Sequence, residues 1–199
     1  MKTNSEIRAL ARQSLSGNWT MPVLVTLILC MFSGLSGIPF VGALLALLVL
    51  MPLDYSVEQA FLQFARGDKE NLMDKMFSGF KHYGRALSTP LLMGIYVMLW
   101  SLLLVIPGII KAYSYAMSYY VALDQPDWNA EQCIQESMRL MSGHKMKLFL
   151  LDLSFIGWGL LCILTFGIGF LWLAPYISIS HAHFYEELKA ANQEVKEAI

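Results

Sequence analysis

Residues 102–120 read LLLVIPGIIKAYSYAMSYY, an apolar run that Pro107 and Gly108 divide. The part before the division continues an apolar segment that begins at Ala86, and the part after it reaches Leu123. Proline lacks the amide that a helix interior needs and glycine adds backbone freedom, so the pair predicts the end or a sharp bend of a helix. Two apolar helices joined by an almost uncharged break are typical of a helical hairpin in a bilayer.

The composition of the whole chain also indicates a membrane protein. Of its 199 residues, 56% are hydrophobic and 15% are charged, and the mean hydropathy is +0.51. A soluble domain has about 25% charged residues. No charged residue occurs between Pro22 and Leu53, and the net charge of −1 gives no indication of a nucleic-acid partner. The three cysteines lack metal-ligand or redox spacing, so we expect no metal site and no disulfide framework.

Two further hairpins flank the central one, and a short amphipathic helix precedes each of the three. The amphipathic helices are predicted from Thr3 to Leu15 and near residues 72–80 and 129–141. Thr3 with Glu6 and Asn129 with Gln132 have capping-box spacing. The predicted hairpin breaks are marked by Pro39 in the first hairpin, by Pro107 and Gly108 in the second, and by Gly167 and Gly169 in the third.

The same order of elements recurs along the chain. Serine–glycine pairs end or interrupt the amphipathic segments at 16–17, 78–79 and 142–143, which gives a period of 62–64 residues. We therefore predict a single polytopic membrane domain over residues 1–199. Its approximate repeats are 1–66, 67–125 and 126–188, and a short polar tail follows at 189–199.

Lysine and arginine indicate the orientation of the hairpins. Thirteen of the fourteen lie in the amino-terminal helix, the two long connections or the carboxyl tail. The tips of the first and third hairpins, at 33–39 and 165–169, carry none. Since positive residues stay cytoplasmic, we expect an all-α inner-membrane protein with six transmembrane helices and both termini in the cytoplasm. The fourth segment, 108–123, is about 24 Å long, against a hydrocarbon core of about 30 Å. A re-entrant or interfacial fourth helix would leave five spans, but the charge distribution argues against it.

Three polar residues in apolar surroundings are candidates for function, and each also has an ordinary structural explanation. Lys111 would neutralise an anionic head group or substrate, or extend its amine to water. Asp152 would line a pathway, or pair with nearby Lys147 at the interface. His181 would line the same pathway, or form a structural hydrogen bond in the bundle interior.

Two other arrangements give weaker signals for chemistry. His181 and His183 point about 200° apart on a helix, so they do not easily share one metal ion. Asp54 and Glu58 lie four residues apart, but no nucleophile or third partner accompanies them. We therefore expect no catalytic residue, no metal and no cofactor.

Three blocks of sequence resemble a known family. They are residues 103–117 (LLVIPGIIKAYSYAM), 137–158 (SMRLMSGHKMKLFLLDLSFIGW) and 165–185 (TFGIGFLWLAPYISISHAHFY). Together they are similar to the bacterial integral membrane family known as domain of unknown function 975. The resemblance implies a polytopic bacterial membrane protein and supplies no activity. It also implies that Lys111 and Asp152 belong to the family pattern.

The first functional hypothesis is a non-enzymatic membrane component that binds membrane lipids or a membrane or cytosolic protein partner through its inner-face helices. The alternative is a small transporter or lipid translocator lined by Lys111, Asp152 and His181, because broken apolar helices and repeats are typical of transporters. An intramembrane enzyme is the third hypothesis, and it is disfavoured because the polar residues lack mutual spacing.

Overall fold

The computed structural model of the chain describes residues 1–35 and 41–197, and all regular structure in these two ranges is helical. The predicted all-α class is therefore confirmed for the described residues. Pro39, the predicted break of the first hairpin, lies outside them.

In the first half of the chain the helices are α1 (Asn4–Leu15), α2 (Thr20–Leu35), α3 (Val41–Leu45), α4 (Met51–Ala65), α5 (Leu72–Met76) and α6 (Tyr83–Leu103). A π-helical turn, Ala46–Leu50, joins α3 to α4, and a 3₁₀ turn, Ser78–Phe80, follows α5. In the second half they are α7 (Val105–Tyr115), α8 (Ser118–Asp124), α9 (Ala130–Leu140), α10 (Lys145–Leu153), α11 (Ile156–Leu164) and α12 (Phe170–Glu197).

Local sequence determines the ends of α1 and α9. Thr3 with Glu6 and Asn129 with Gln132 form complete capping boxes, in which each side chain bonds the other residue's backbone amide. A glycine with positive φ follows each helix, Gly17 at 74° and Gly143 at 81°. The middle segment differs, because α5 has five residues and its N-cap makes no side-chain bond.

The break between α6 and α7 falls at Leu104, three residues before the predicted break at Pro107. Leu104 has φ −163° and ψ 141°, and α7 begins directly after it. Pro107 therefore occupies the first turn of α7, where amides have no intrahelical partner and proline costs nothing. Gly108 permits a close approach between α6 and α7, since a Cβ there would clash with Ser101 Oγ and lie 3.0 Å from Ser101 Cα.

The third predicted break is a break between helices, since α11 ends at Leu164 and α12 begins at Phe170. Gly167 has φ 86°, a conformation that glycine adopts without steric cost. Gly169 lets the turn fold onto α11, because a Cβ there would lie 2.7 Å from Cys162 Sγ.

Within the part of the chain that the structure describes, three helical stretches are long and apolar enough to cross a membrane: Gly42–Ala65, Tyr83–Leu102 and Lys145–Leu164. A fourth is possible if α1 and α2, which meet at a bend of 98°, count as one broken span. These stretches fit a membrane protein. The predicted fourth span, residues 108–123, does not form one helix of span length, because it is divided between α7 and α8.

The apolar stripes of the amphipathic helices are covered by the chain itself. Ile7, Ala11 and Leu15 of α1 are fully buried, and α1 packs mainly against α12. On α9, Ile134 is buried, and Ser137 bonds the break between α7 and α8 by donating to the Ser114 carbonyl at 2.8 Å. The amphipathic helices are therefore part of the core.

Gly79 fixes the approach of the 3₁₀ turn to α4. Its amide donates to Ser56 Oγ at 2.9 Å, and a Cβ at this position would clash with that oxygen and lie 2.8 Å from the Pro52 carbonyl. We expect Gly79→Ala to lower the free energy of unfolding by about 1–3 kcal/mol, because neither backbone can yield. Thermal unfolding of the detergent-solubilised protein would measure it. Gly84→Ala is the matched control, since nothing lies within 4 Å of that position; equal effects of the two changes would contradict the explanation.

Candidate functional site

Asp152 of α10 lies at the centre of a hydrogen-bonded group that joins three helices. His181 Nε2 of α12 is 2.6 Å from Asp152 Oδ1, and the Tyr113 hydroxyl of α7 donates to Asp152 Oδ2 at 3.0 Å. Asp152 and His181 are both partly buried, with 31% and 24% of their side chains exposed. The structure thus brings together two of the three polar residues that the sequence singled out.

A second hydrogen-bonded group, centred on Glu58, lies beside the first. The Tyr120 hydroxyl of α8 donates to Glu58 Oε2 at 2.6 Å, and Ser178 Oγ of α12 donates to Glu58 Oε1 at 2.9 Å. Ser178 and His181 are three residues apart, so they share a face of α12. We call Asp152, His181, Tyr113, Glu58, Tyr120 and Ser178 the polar cluster.

The polar cluster differs from the pairings expected for its carboxylates. Asp152 bonds His181 and Tyr113, whereas Lys147 donates to the Lys2 carbonyl. Glu58 bonds the hydroxyl groups of Tyr120 and Ser178. Chemically, the cluster contains two carboxylates, an imidazole and three hydroxyls, and these groups can hold or pass protons and accept a polar ligand.

Lys111 lies apart from the polar cluster. Its amine is 4.8 Å from the centroid of the Trp100 ring, so the cation of α7 packs on an aromatic face of α6. This contact gives Lys111 a structural partner. It leaves the predicted role toward an anionic head group as a prediction.

The remaining histidine forms a serine–histidine pair. Ser14 Oγ of α1 is 2.9 Å from His183 Nε2, so His181 and His183 bond different helices. A nucleophile–base pair of this kind needs a third group to orient the base. In residues 1–35 and 41–197 no carboxylate bonds the other ring nitrogen of His183. Asp54, which the sequence analysis considered together with Glu58, is exposed.

A charged group at the end of the bundle connects α4, α8 and α12. Asp124 Oδ2 accepts hydrogen bonds from Arg66 at 2.9 Å, Tyr185 at 2.9 Å and Lys189 at 2.6 Å. Arg66 also pairs with Glu186 at 2.7 Å. We call these five residues the Asp124 cluster.

The pKa values in the Asp124 cluster follow from the pairing. Burial alone would raise the pKa of Asp124, but the hydrogen bonds from Arg66 and Lys189 outweigh it and hold that pKa below its usual value. Burial would lower the pKa of Arg66, but Asp124 and Glu186 raise it further above its ordinary value. Both groups are therefore charged at neutral pH.

Some residues that hold the site together escape sequence analysis. Arg85 donates to the backbone carbonyls of Ala122, Gln125 and Pro126 at the end of α8, the first at 2.6 Å. An isolated arginine gives no sequence signal for this role. The tyrosine-rich composition of 113–120 was the available hint for Tyr113 and Tyr120.

Among the described residues, no group of three or more His, Cys, Asp or Glu side chains is arranged to hold a metal ion. The expected absence of cofactors stays a prediction.

A comparison with known protein families matches residues 1–111 and again 102–192 to the family described as "Protein of unknown function (DUF975)". The chain belongs to this family. The resemblance inferred from the three sequence blocks is thus confirmed. No curated protein matches this DUF975 protein in sequence, and no solved structure matches it.

The two matches overlap at residues 102–111, which include the break between α6 and α7. The family is therefore matched once up to the start of α7 and once from the end of α6 onward. The division into three approximate repeats stays a prediction. Membership in this family assigns no activity to the chain.

Proposed function

We propose that this DUF975 protein is a non-enzymatic component of the bacterial inner membrane that binds membrane lipids or a protein partner. In this proposal the chain crosses the membrane six times as three helical hairpins, and both termini lie in the cytoplasm. The proposal includes no nucleic-acid partner and no cofactor.

The observation that carries the proposal is the small buried share of two candidate spans. Only 17% of the apolar window in Tyr83–Leu102 and 22% of that in Lys145–Leu164 is buried by the rest of the chain, against 44% for Gly42–Ala65. Large apolar side chains remain exposed along both, among them Met98, Leu99, Ile156 and Leu160. An apolar surface that leaves most of two helices exposed needs acyl chains or apolar partner helices to cover it.

The position of the amphipathic helices favours lipid as the occupant. Their apolar stripes are buried against the chain's own helices, as Ile7 and Ile134 illustrate. A cytosolic protein would therefore have to bind another face. The polar cluster supports the non-enzymatic part of the proposal. Each of its two carboxylates bonds side chains of two other helices. Among the described residues, neither carboxylate belongs to a nucleophile–base–acid arrangement.

Gentle purification from the native membrane, followed by mass spectrometry of the retained molecules, tests the proposal. We expect lipid to remain bound in stoichiometric amount. A stoichiometric protein would also support the proposal and would direct attention to α6 and α10–α11. Recovery of the chain with neither, together with turnover of a membrane lipid by the purified protein, would overturn it.

The topology can be tested separately with single cysteines in a background that lacks Cys30, Cys133 and Cys162. We expect an impermeant maleimide to label Thr165→Cys, at the tip of the last hairpin, in intact cells. Ser142→Cys, in the exposed connection before α10, should react only after the inner membrane is opened. Labelling of both positions from outside would rule out cytoplasmic connections.

A small transporter or lipid translocator is the second candidate function. The observation that favours it is the polar cluster itself, which connects α4, α7, α8, α10 and α12 with partly buried carboxylates. Ionisable residues between apolar helices commonly mark substrate or proton pathways. Transport assays with variants of Asp152 in reconstituted vesicles test this function.

A further inference from the structure

A cavity of about 630 Å³ lies between α1, the start of α2, α11 and α12. One part of its wall carries Arg8 and Arg12 of α1. The rest is largely aromatic and apolar, with Trp19, Trp158, Leu161 and Trp172 in its lining. The cavity shares no lining residue with the polar cluster.

Among the described residues, neither arginine of this cavity has a counter-ion. Arg8 and Arg12 are four residues apart on α1 and therefore lie on one side of the helix. Neither forms an ion pair with a described residue, and the buried Nε of Arg8 has no hydrogen-bond partner there. Arg66, by contrast, pairs with two carboxylates. A buried guanidinium nitrogen without a partner is costly, so it indicates an anionic ligand.

The apolar part of the wall extends away from the arginines along α11 and α12. The Tyr176 hydroxyl donates to the Arg8 carbonyl at 3.2 Å, which joins α12 to α1 at the arginine end. From Tyr176 the lining continues to Gly169, seven residues or about 10 Å along the helix. Trp158 and Trp172 are 56% and 48% exposed along this path. The cavity thus combines a cationic end with a long apolar wall.

We propose that this cavity binds an anionic phospholipid, with its phosphate between Arg8 and Arg12 and an acyl chain against Trp158 and Trp172. The inference rests on the proposed lipid-binding function and names the class of lipid. The 98° bend between α1 and α2 places α1 along the membrane surface when α2 crosses the bilayer. The arginines then lie at head-group level, while α11 belongs to a stretch long enough to span the membrane.

Lipid retention by the purified full chain tests the proposal. Native mass spectrometry would compare phosphatidylglycerol with phosphatidylcholine of the same acyl chains. We expect the wild type to prefer phosphatidylglycerol and the double variant Arg8→Gln/Arg12→Gln to bind it at least about tenfold more weakly, since two charge-assisted hydrogen-bonding groups are lost. The matched control, Lys81→Gln/Lys145→Gln, removes the same charge outside the cavity and should keep the preference.

The conservative variant Arg8→Lys/Arg12→Lys guards against loss of folding. It keeps both charges, so it should retain a preference for phosphatidylglycerol while the glutamine variant loses it; thermal unfolding would show whether each variant is folded. A folded glutamine variant that still prefers phosphatidylglycerol overturns the inference. So does displacement of the lipid by inorganic phosphate alone, because the site would then bind a free anion.

The inference and the proposed function fail in different ways. Equal retention of phosphatidylglycerol and phosphatidylcholine by the wild type would overturn the assignment of an anionic lipid and leave lipid binding intact. Retention of neither lipid by the folded wild type would overturn both the assignment and the lipid part of the proposed function.

Discussion

Asp124→Asn is expected to lower the free energy of unfolding by about 2–3 kcal/mol, because two cations lose their shared charged acceptor. Asp124 receives hydrogen bonds from Arg66, Tyr185 and Lys189, and these connect three helices. An asparagine offers one oxygen and turns an amide toward the cations. The unfolding temperature in detergent should fall by roughly 5–10 °C.

Glu136→Gln is the matched control for this change. Glu136 pairs with Arg139, whose side chain is 47% exposed, within a single helix. Exposed pairs of this kind contribute about 0.2–1 kcal/mol, so the control should cause a much smaller loss. Losses of equal size would show that the Asp124 cluster does not hold the helices together.

The effect of Asp124→Asn should also depend on pH. The pKa of Asp124 is lowered in the folded chain, since the hydrogen bonds from Arg66 and Lys189 outweigh burial. The stabilisation is therefore complete above the ordinary carboxyl pKa of about 4 and is lost as the pH falls through the lowered folded value. Unfolding temperatures of the wild type and Asp124→Asn should converge below about pH 4. A constant difference from pH 7 down to pH 3 would contradict this assignment.

Sequence analysis predicted best what short stretches determine. The capping boxes at Thr3 and Asn129 depend on residues three positions away, and the apolar segments follow from composition alone. The central break shows the limit of such reasoning, because proline predicts that a helix is interrupted nearby but is itself tolerated in a first turn. The interruption between α10 and α11, at Ser154 and Phe155, carries no proline or glycine and gave no warning.

The site was predicted by residue type but not by partner. The face of α12 that carries Ser178 and His181 follows from helical spacing, so the bundle interior was an available inference for His181. Its bond to Asp152 joins residues 29 positions apart, and Arg66 pairs with Asp124 across 58. Such pairings depend on how far each helix is displaced and rotated against its neighbour, which a single sequence does not specify.

Asp152→Leu is expected to lower the free energy of unfolding by about 2–4 kcal/mol, since it leaves the imidazole of His181 and the hydroxyl of Tyr113 without an acceptor in a partly buried place. Asp152→Asn should lose less than about 1 kcal/mol, because the amide oxygen accepts from Tyr113 and the amide nitrogen can donate to a ring nitrogen of His181. Thermal unfolding would compare them with Asp127→Leu, a change at an exposed loop position that should have little effect.

The same pair of variants separates the two candidate functions. If the polar cluster only joins helices, Asp152→Asn keeps its hydrogen bonds and should behave like the wild type in every assay. If the cluster is a pathway, the charge itself matters, and Asp152→Asn should abolish substrate uptake or lipid scrambling in reconstituted vesicles while remaining folded. Transport by the wild type that the asparagine variant fully retains would remove Asp152 from any pathway. A wild type that moves nothing across the vesicle membrane would leave the cluster with its structural role, because the bonds to His181 and Tyr113 account for its partly buried carboxylate without any transported ligand.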